Sequence, residues 1–194
     1  MDGGATATRP HQFTVADYHR MAAAGILNED SRVELIRGQI VDMAPIGAPH
    51  LNMVNRLTRL LPAILGELGV LSVQNPVRLD DGSEPQPDVA VLKPRPEEYE
   101  TATPHAADVL LVIEVAETSL DDDRAVKAPL YAGSGIPEYW IVNIVDRVVE
   151  VYRKPENGLY SQTRRVGADG MLDVLMVPGN ALPATDLLRR AAQP

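Results

Sequence analysis

The apolar positions change period along the chain, and those changes divide it into elements. Residues 14–27 (TVADYHRMAAAGIL) suit one short helix with Thr14 as N-cap. VELIRGQIVDM (33–43) reads as two strands joined at Arg37-Gly38, with glycine supplying the turn. Pro45, Gly47 and Pro49 punctuate the stretch after the second strand. From His50, Leu51, Val54, Leu57, Leu61, Ile64, Leu65 and Leu68 recur at three- and four-residue steps. That spacing predicts an amphipathic helix of about five turns, kinked at Pro62.

Beyond it the period becomes that of strands. VLSVQ (70–74), DVAVL (88–92) and VLLVIEV (109–115) are short and β-branched, and the last is apolar enough for a central strand buried on both faces. The Pro-rich, charged segment 93–107 is long for a loop, which marks it as mobile or functional. Asp121–Asp123 suit the start of a helix, since acids favour its positive end; Pro129 limits the regularity of the run to Gly133–Gly135. YWIVNI (139–144), RVVEVYR (147–153), LYSQTRRV (159–166) and LDVLMV (172–177) make the second half β-rich. With no internal repeat and no dividing linker, the expected architecture is α/β (α+β): one mixed central β-sheet flanked by helices, spanning residues 13–194 after a flexible tail at 1–12.

Composition narrows the class. At 194 residues, one domain with a sizeable core is expected. Aromatics are only 4%, so aliphatic residues must fill that core. The absence of cysteine excludes disulfides, thiolate zinc sites and cysteine nucleophiles. No apolar run approaches the ~20 residues of a membrane helix, and MDGGATATRPHQ lacks the pattern of a secretion signal. A soluble cytoplasmic protein is expected.

The net charge of −9 is concentrated. Between Arg95 and Arg124 there is no Lys or Arg but nine acids, and the rest of the chain balances at 18 acids against 18 bases. The segment reads either as a solvated acidic loop with a helix start or as a cation site.

Glu114 interrupts the most apolar strand, and a carboxylate there must be paired, metal-bound or protonated unless it lies exposed at the strand's end. Asp88 opens the preceding strand after Pro85-Gln86-Pro87. Consecutive strands are commonly neighbours, so both acids could converge on one Mg²⁺, which takes one or two carboxylates and keeps waters. Asp123, Lys127, Leu130 and Tyr131 share a helix face, which aims Lys127 at the sheet or leaves it packed by its stem with the ammonium in water. His50 reads as a cap residue or as a cleft-facing ligand. The scattered histidines exclude a His-x-x-x-His zinc site, and neither a nucleophile elbow nor a phosphate loop occurs.

Pro87-Asp88, Glu114-Val115 ending an apolar strand, Asp123-Arg124 with Lys127, Tyr131, and Gly135-Ile136-Pro137-Glu138-Tyr139-Trp140 together resemble the Uma-two endonuclease family. That family is similar to the restriction-endonuclease-like PD-(D/E)XK nucleases. Glu34-Leu35-Ile36-Arg37-Gly38 and His50 at a helix start extend the resemblance over roughly residues 12–188. It implies metal-dependent phosphodiester hydrolysis on a restriction-endonuclease-like sheet. Asp88 and Glu114 would bind Mg²⁺ (or Mn²⁺), the Val115 carbonyl would complete the metal shell, and Glu34 could add a further acid. The superfamily's lysine, two positions after the second acid, is Ala116 here, and its place would be taken by Lys127 from the next helix.

The implied partner is nucleic acid, most readily DNA; a phosphodiesterase acting instead on RNA or a small nucleotide is a competing reading. Bases for phosphate contact are few: Arg56 with Arg59, Arg153-Lys154, Arg164-Arg165 and Arg189-Arg190, the last three lining one groove if the chain forms a homodimer. The alternative is a non-catalytic scaffold of the same fold that binds a protein through its acidic segment.

Overall fold

The computed structural model describes residues 9–97 and 99–189. Helix α1 (Val15–Ala23) carries a capping box: Thr14 accepts from the Asp17 amide, and Asp17 accepts from the Thr14 amide. Strands β1 (Val33–Ile36) and β2 (Gln39–Asp42) form a separate antiparallel hairpin. Its turn holds Arg37 and Gly38 at φ 49° and 75°, left-handed conformations suited to a two-residue hairpin. A side chain at 38 would also collide with Gln12, whose Cβ lies 2.6 Å from where that Cβ would stand. Gln12, expected in a loose tail, is thus seated on the hairpin, and Phe13 N–H donates to the Gly38 carbonyl at 2.8 Å. Residues 1–8 of the expected tail lie outside the described residues.

Helix α2 (Ala48–Leu65) begins two residues before His50, with Pro49 in the first turn, where a missing N–H costs nothing. It runs through Pro62 to its end. The main sheet has the order β3-β4-β5-β6-β7-β8: β3 (Val70–Val73), β4 (Val89–Leu92), β5 (Val109–Ala116), β6 (Glu138–Asn143), β7 (Val148–Glu156) and β8 (Leu159–Val166). Within it only β5 and β6 pair in parallel, and the chain between them forms the crossover expected of a parallel pair. That crossover is α3 (Leu120–Asp122), a π-helical turn (Asp123–Lys127) and α4 (Ala128–Gly133). Pro129 has no amide to return to the preceding turn. The Ala128 N–H reaches back five residues to the Asp123 carbonyl, which widens the helix here.

The sheet separates two apolar layers. On one face α2 contributes Leu57, Leu61 and Leu65 against Val89, Val91, Leu111, Ile113 and Trp140. On the other, α4 contributes Ala128 and Tyr131 against Ala90, Val112, Ala116 and Tyr139. Alternation along β5 therefore puts Glu114 on the α4 face, between Val112 and Ala116.

The structure departs from the sequence pattern in two places. LDVLMV is strand only at its start: β9 (Met171–Asp173) pairs with β10 (Ala181–Pro183) in a second small sheet, followed by α5 (Ala184–Leu188). The chain turns away at Val174–Val177, and the Leu175 N–H instead donates to buried Glu138 at 2.7 Å. Segment 93–107 is tethered rather than free. Arg95 pairs with Asp108 and lies 4.7 Å from the Tyr99 ring centroid, and the Arg78 amide donates to the Pro104 carbonyl at 2.8 Å. Among the described residues no helix is long and apolar enough to cross a membrane.

Candidate active site

The site is assembled from five stretches of chain at one mouth of the sheet. The β4–β5 register pairs Val89 with Ile113, so one step further Asp88 lies across from Glu114. The prolines on either side of Gln86 hold the approach to β4 extended. The Asp88 N–H donates to Glu114 Oε2 at 3.2 Å, and the Val115 N–H donates to Asp88 Oδ2 at 2.9 Å. His50, from the first turn of α2, has Nε2 2.9 Å from the same Asp88 oxygen, while its buried Nδ1 lacks a partner among the described residues.

Lys127 reaches in from the end of the π turn. Its Nζ lies 3.0 Å from Glu114 Oε1 and 3.2 Å from Glu34 Oε1. Glu34 comes from the hairpin and is fixed by the Gln86 N–H, which donates to its Oε2 at 3.1 Å. The hairpin is locked to the chain before β4 by the Glu84 N–H on the Leu35 carbonyl and the Gly38 N–H on the Gly82 carbonyl. Asp88, Glu114, Lys127, Val115, Glu34 and His50 all line one cleft of about 520 Å³. Its lining includes seven carboxylates, against Arg32 and Lys127 as cations.

Two participants escape sequence reading. Tyr131, read as an inward-packing residue, donates its hydroxyl to Glu114 Oε1 at 2.8 Å. Asp123, read as a helix-start acid on the inward face of Lys127 but given no role in the site, is 2% exposed and accepts from the Ser119 hydroxyl at 2.8 Å. The signal for both was their four-residue spacing from Lys127, which places all three along one side of the crossover helix.

Charge and burial conflict at Glu114. Every hydrogen bond it makes comes from a donor, which suits an ionised carboxylate. Yet burial pushes its pKa up to about 8, reinforced by Asp88, Asp123 and Glu34 and opposed by Lys127. Asp123 is pushed up to about 6 by burial, against the pull of Lys127 and Ser119. Burial also disfavours the Lys127 charge, but Glu114, Glu34 and Asp123 outweigh it and hold its pKa above the usual lysine value. Burial and the Glu114 charge raise the Tyr131 hydroxyl well above its ordinary value, so it remains a donor.

A divalent cation beside Asp88 and Glu114 would relieve this conflict. The two carboxylates offer oxygen, which suits Mg²⁺ or Mn²⁺. Among the described residues no three acidic or histidine side chains are close enough to hold a metal alone. Mg²⁺ does not need three, because it retains waters.

The arginines are disposed otherwise than their sequence clustering suggests. Arg56 is buried and donates to the Leu187 and Arg189 carbonyls at 2.6 Å, satisfying the end of α5. Arg153 binds Glu138 and Asp173, Arg164 binds Asp173, and Arg165 lies 3.3 Å from Asp146. The acids that neutralise them come from distant parts of the chain, so sequence neighbours alone could not reveal it. Arg190 lies outside the described residues.

The sequence model of Uma2, a family described as "Putative restriction endonuclease", matches residues 15–185. The chain belongs to the Uma2 family. A crystal structure from Anabaena variabilis ATCC 29413, described as a "putative nuclease belonging to DUF820", is similar in fold. It matches with a TM-score of 0.72 at 16% identity, covering 91% of this chain and 97% of that one. No curated protein matches the chain. The Uma2 chain thus has the mixed, restriction-endonuclease-like sheet that its motifs implied. Ala116, where the superfamily's lysine is usual, is buried in the layer against α4, and the ammonium beside Glu114 belongs to Lys127 instead.

Proposed function

We propose that this Uma2 protein is a divalent-metal-dependent endonuclease that hydrolyses phosphodiester bonds, with DNA as its substrate. One observation carries the reading: Asp88 and Glu114 meet across adjacent strands, and the Lys127 ammonium sits on the same carboxylate at the mouth of a cleft. Asp88 and Glu114 would hold Mg²⁺ or Mn²⁺, and the Val115 carbonyl would add a further oxygen. When bound, the ion supplies charge neutralisation at the phosphate and a more acidic water. Lys127, held protonated by its acidic neighbours, places positive charge where negative charge grows on the five-coordinate phosphorus. His50 holds Asp88 in orientation from the α2 side. Glu34 anchors the lysine from the hairpin.

The test is cleavage of single- and double-stranded DNA and RNA with Mg²⁺, by the wild type and Asp88→Ala. Metal-dependent cleavage of DNA, lost in the variant and on chelation, is the expected result. Cleavage confined to RNA would overturn the substrate. The internal pairing of Arg153, Arg164 and Arg165 favours a second reading, a scaffold that docks a protein partner. Absence of both cleavage and low-salt DNA binding in Ca²⁺ would select it.

A further inference from the structure

We infer that Tyr131 is a positioning residue of this site: with Lys127 it occupies one oxygen of Glu114 and reserves the other, Oε2, for the divalent cation. The inference rests on the proposed sharing of that ion by Asp88 and Glu114.

A carboxylate oxygen has two lone-pair positions. Glu114 Oε1 accepts from the Tyr131 hydroxyl at 2.8 Å and from Lys127 Nζ at 3.0 Å, so both are taken. Oε2 accepts one bond, from the Asp88 N–H at 3.2 Å, and keeps a position open on the Asp88 side. Lys127 alone does not select this orientation. Its ammonium is shared with Glu34 at 3.2 Å and can move between two acceptors on a flexible stem. The Tyr131 hydroxyl is confined. Its ring is fully buried against Tyr139, with centroids 5.1 Å apart, and its hydroxyl makes no other hydrogen bond among the described residues. Both donors come from one helix four residues apart, so α4 and the π turn deliver them to the same oxygen together. Hydrogen bonds that orient a metal's ligands commonly change affinity 10–100-fold when removed.

The experiment is Mn²⁺ titration by calorimetry on the whole protein, comparing wild type, Tyr131→Phe, Glu114→Gln and Tyr160→Phe. Tyr160 is the control for a lost hydroxyl, since its own bond goes to the Ile136 carbonyl at 3.0 Å, away from the carboxylates. Tyr131→Phe is expected to raise the Mn²⁺ Kd by about 10–100-fold, with kcat falling at saturating substrate. Tyr160→Phe should keep the wild-type Kd. A Tyr131→Phe protein with lowered Tm but wild-type Kd would overturn the inference and leave the proposed site standing. Wild-type Mn²⁺ binding that survives Glu114→Gln, or no binding at all, would overturn the site itself and the inference with it. If Tyr131→Phe does not fold, the wild type still decides. The Tyr131 hydroxyl proton, seen by NMR, should shift when Mg²⁺ is added, and an unmoved resonance would overturn the inference.

Discussion

Lys127→Met is expected to lower turnover by about 10²–10³-fold, the usual cost of removing one preorganised transition-state charge. That charge acts mainly on the transition state, so binding should suffer less than turnover. The contacts of Lys127 add a second task. The ammonium lies between the buried carboxylates of Glu34 and Glu114, and removing it leaves both without their cation. Breaking a buried pair in this way typically costs about 3–5 kcal/mol, so the metal-free variant should melt well below the wild type. The deficit should shrink in acid, where Glu114 takes up a proton and no longer needs the cation. Lys127→Arg should restore only part of the activity, because a planar guanidinium does not reproduce a compact ammonium shared between two carboxylates. Thermal melts at pH 6 and pH 9, alongside single-turnover cleavage, check both halves. Unchanged melting and turnover in Lys127→Met would reduce it to a packing residue.

Asp88→Asn should abolish stabilisation by Mg²⁺ without lowering the melting temperature of the metal-free protein. With its amide oxygen in the place of Asp88 Oδ2, an asparagine can accept from both the Val115 N–H and a His50 Nε2–H, so the local bonds survive. It removes a charge that helps to raise the Glu114 pKa. The pH dependence is set by the direction of that shift. The folded protein holds the Glu114 proton up to about pH 8 and the Asp123 proton up to about pH 6, whereas the unfolded chain releases both nearer the ordinary carboxylate values of 4.5 and 3.8. The folded state therefore binds more protons over this window, and metal-free stability falls as pH rises through it. Mg²⁺ needs the ionised form, so its stabilising effect should grow over the same range. At a hundredfold excess over Kd it amounts to about 2.7 kcal/mol, or roughly 5–11 °C for a chain of this size. Equal Mg²⁺ shifts in wild type, Asp88→Asn and Glu114→Gln would remove the shared site and the nuclease reading with it.

Local pattern carried most of the architecture. The alternation at 33–43, with Gly38 at the bend, specifies the hairpin. The three- and four-residue repeat from Val54 to Leu65 specifies the long helix, and the apolar run at 109–115 specifies the central strand. Each reflects which side of an element must leave water. Where local pattern competes with a distant partner it falls short. LDVLMV has strand composition, yet Glu138 captures the Leu175 amide and the chain turns.

The same division runs through the site. The sequence by itself determined the inventory: an acid after Pro87, an acid inside an apolar strand, a lysine on an inward helix face, and no cysteine or clustered histidine to compete with them. The tertiary structure alone decided the wiring. Register set Asp88 across from Glu114, and the hairpin brought Glu34 to Lys127 from 93 residues away in the chain. Tyr131 acquired a carboxylate partner that no spacing rule assigns to a tyrosine. Folding likewise tied Arg56, Arg153 and Arg164 to acceptors within the protein. Periodicity is a property of each element's contact with water, so one strand or helix reveals it. Hydrogen-bond and charge partnerships are properties of pairs, and remote pairs exist only once the sheet has brought them together.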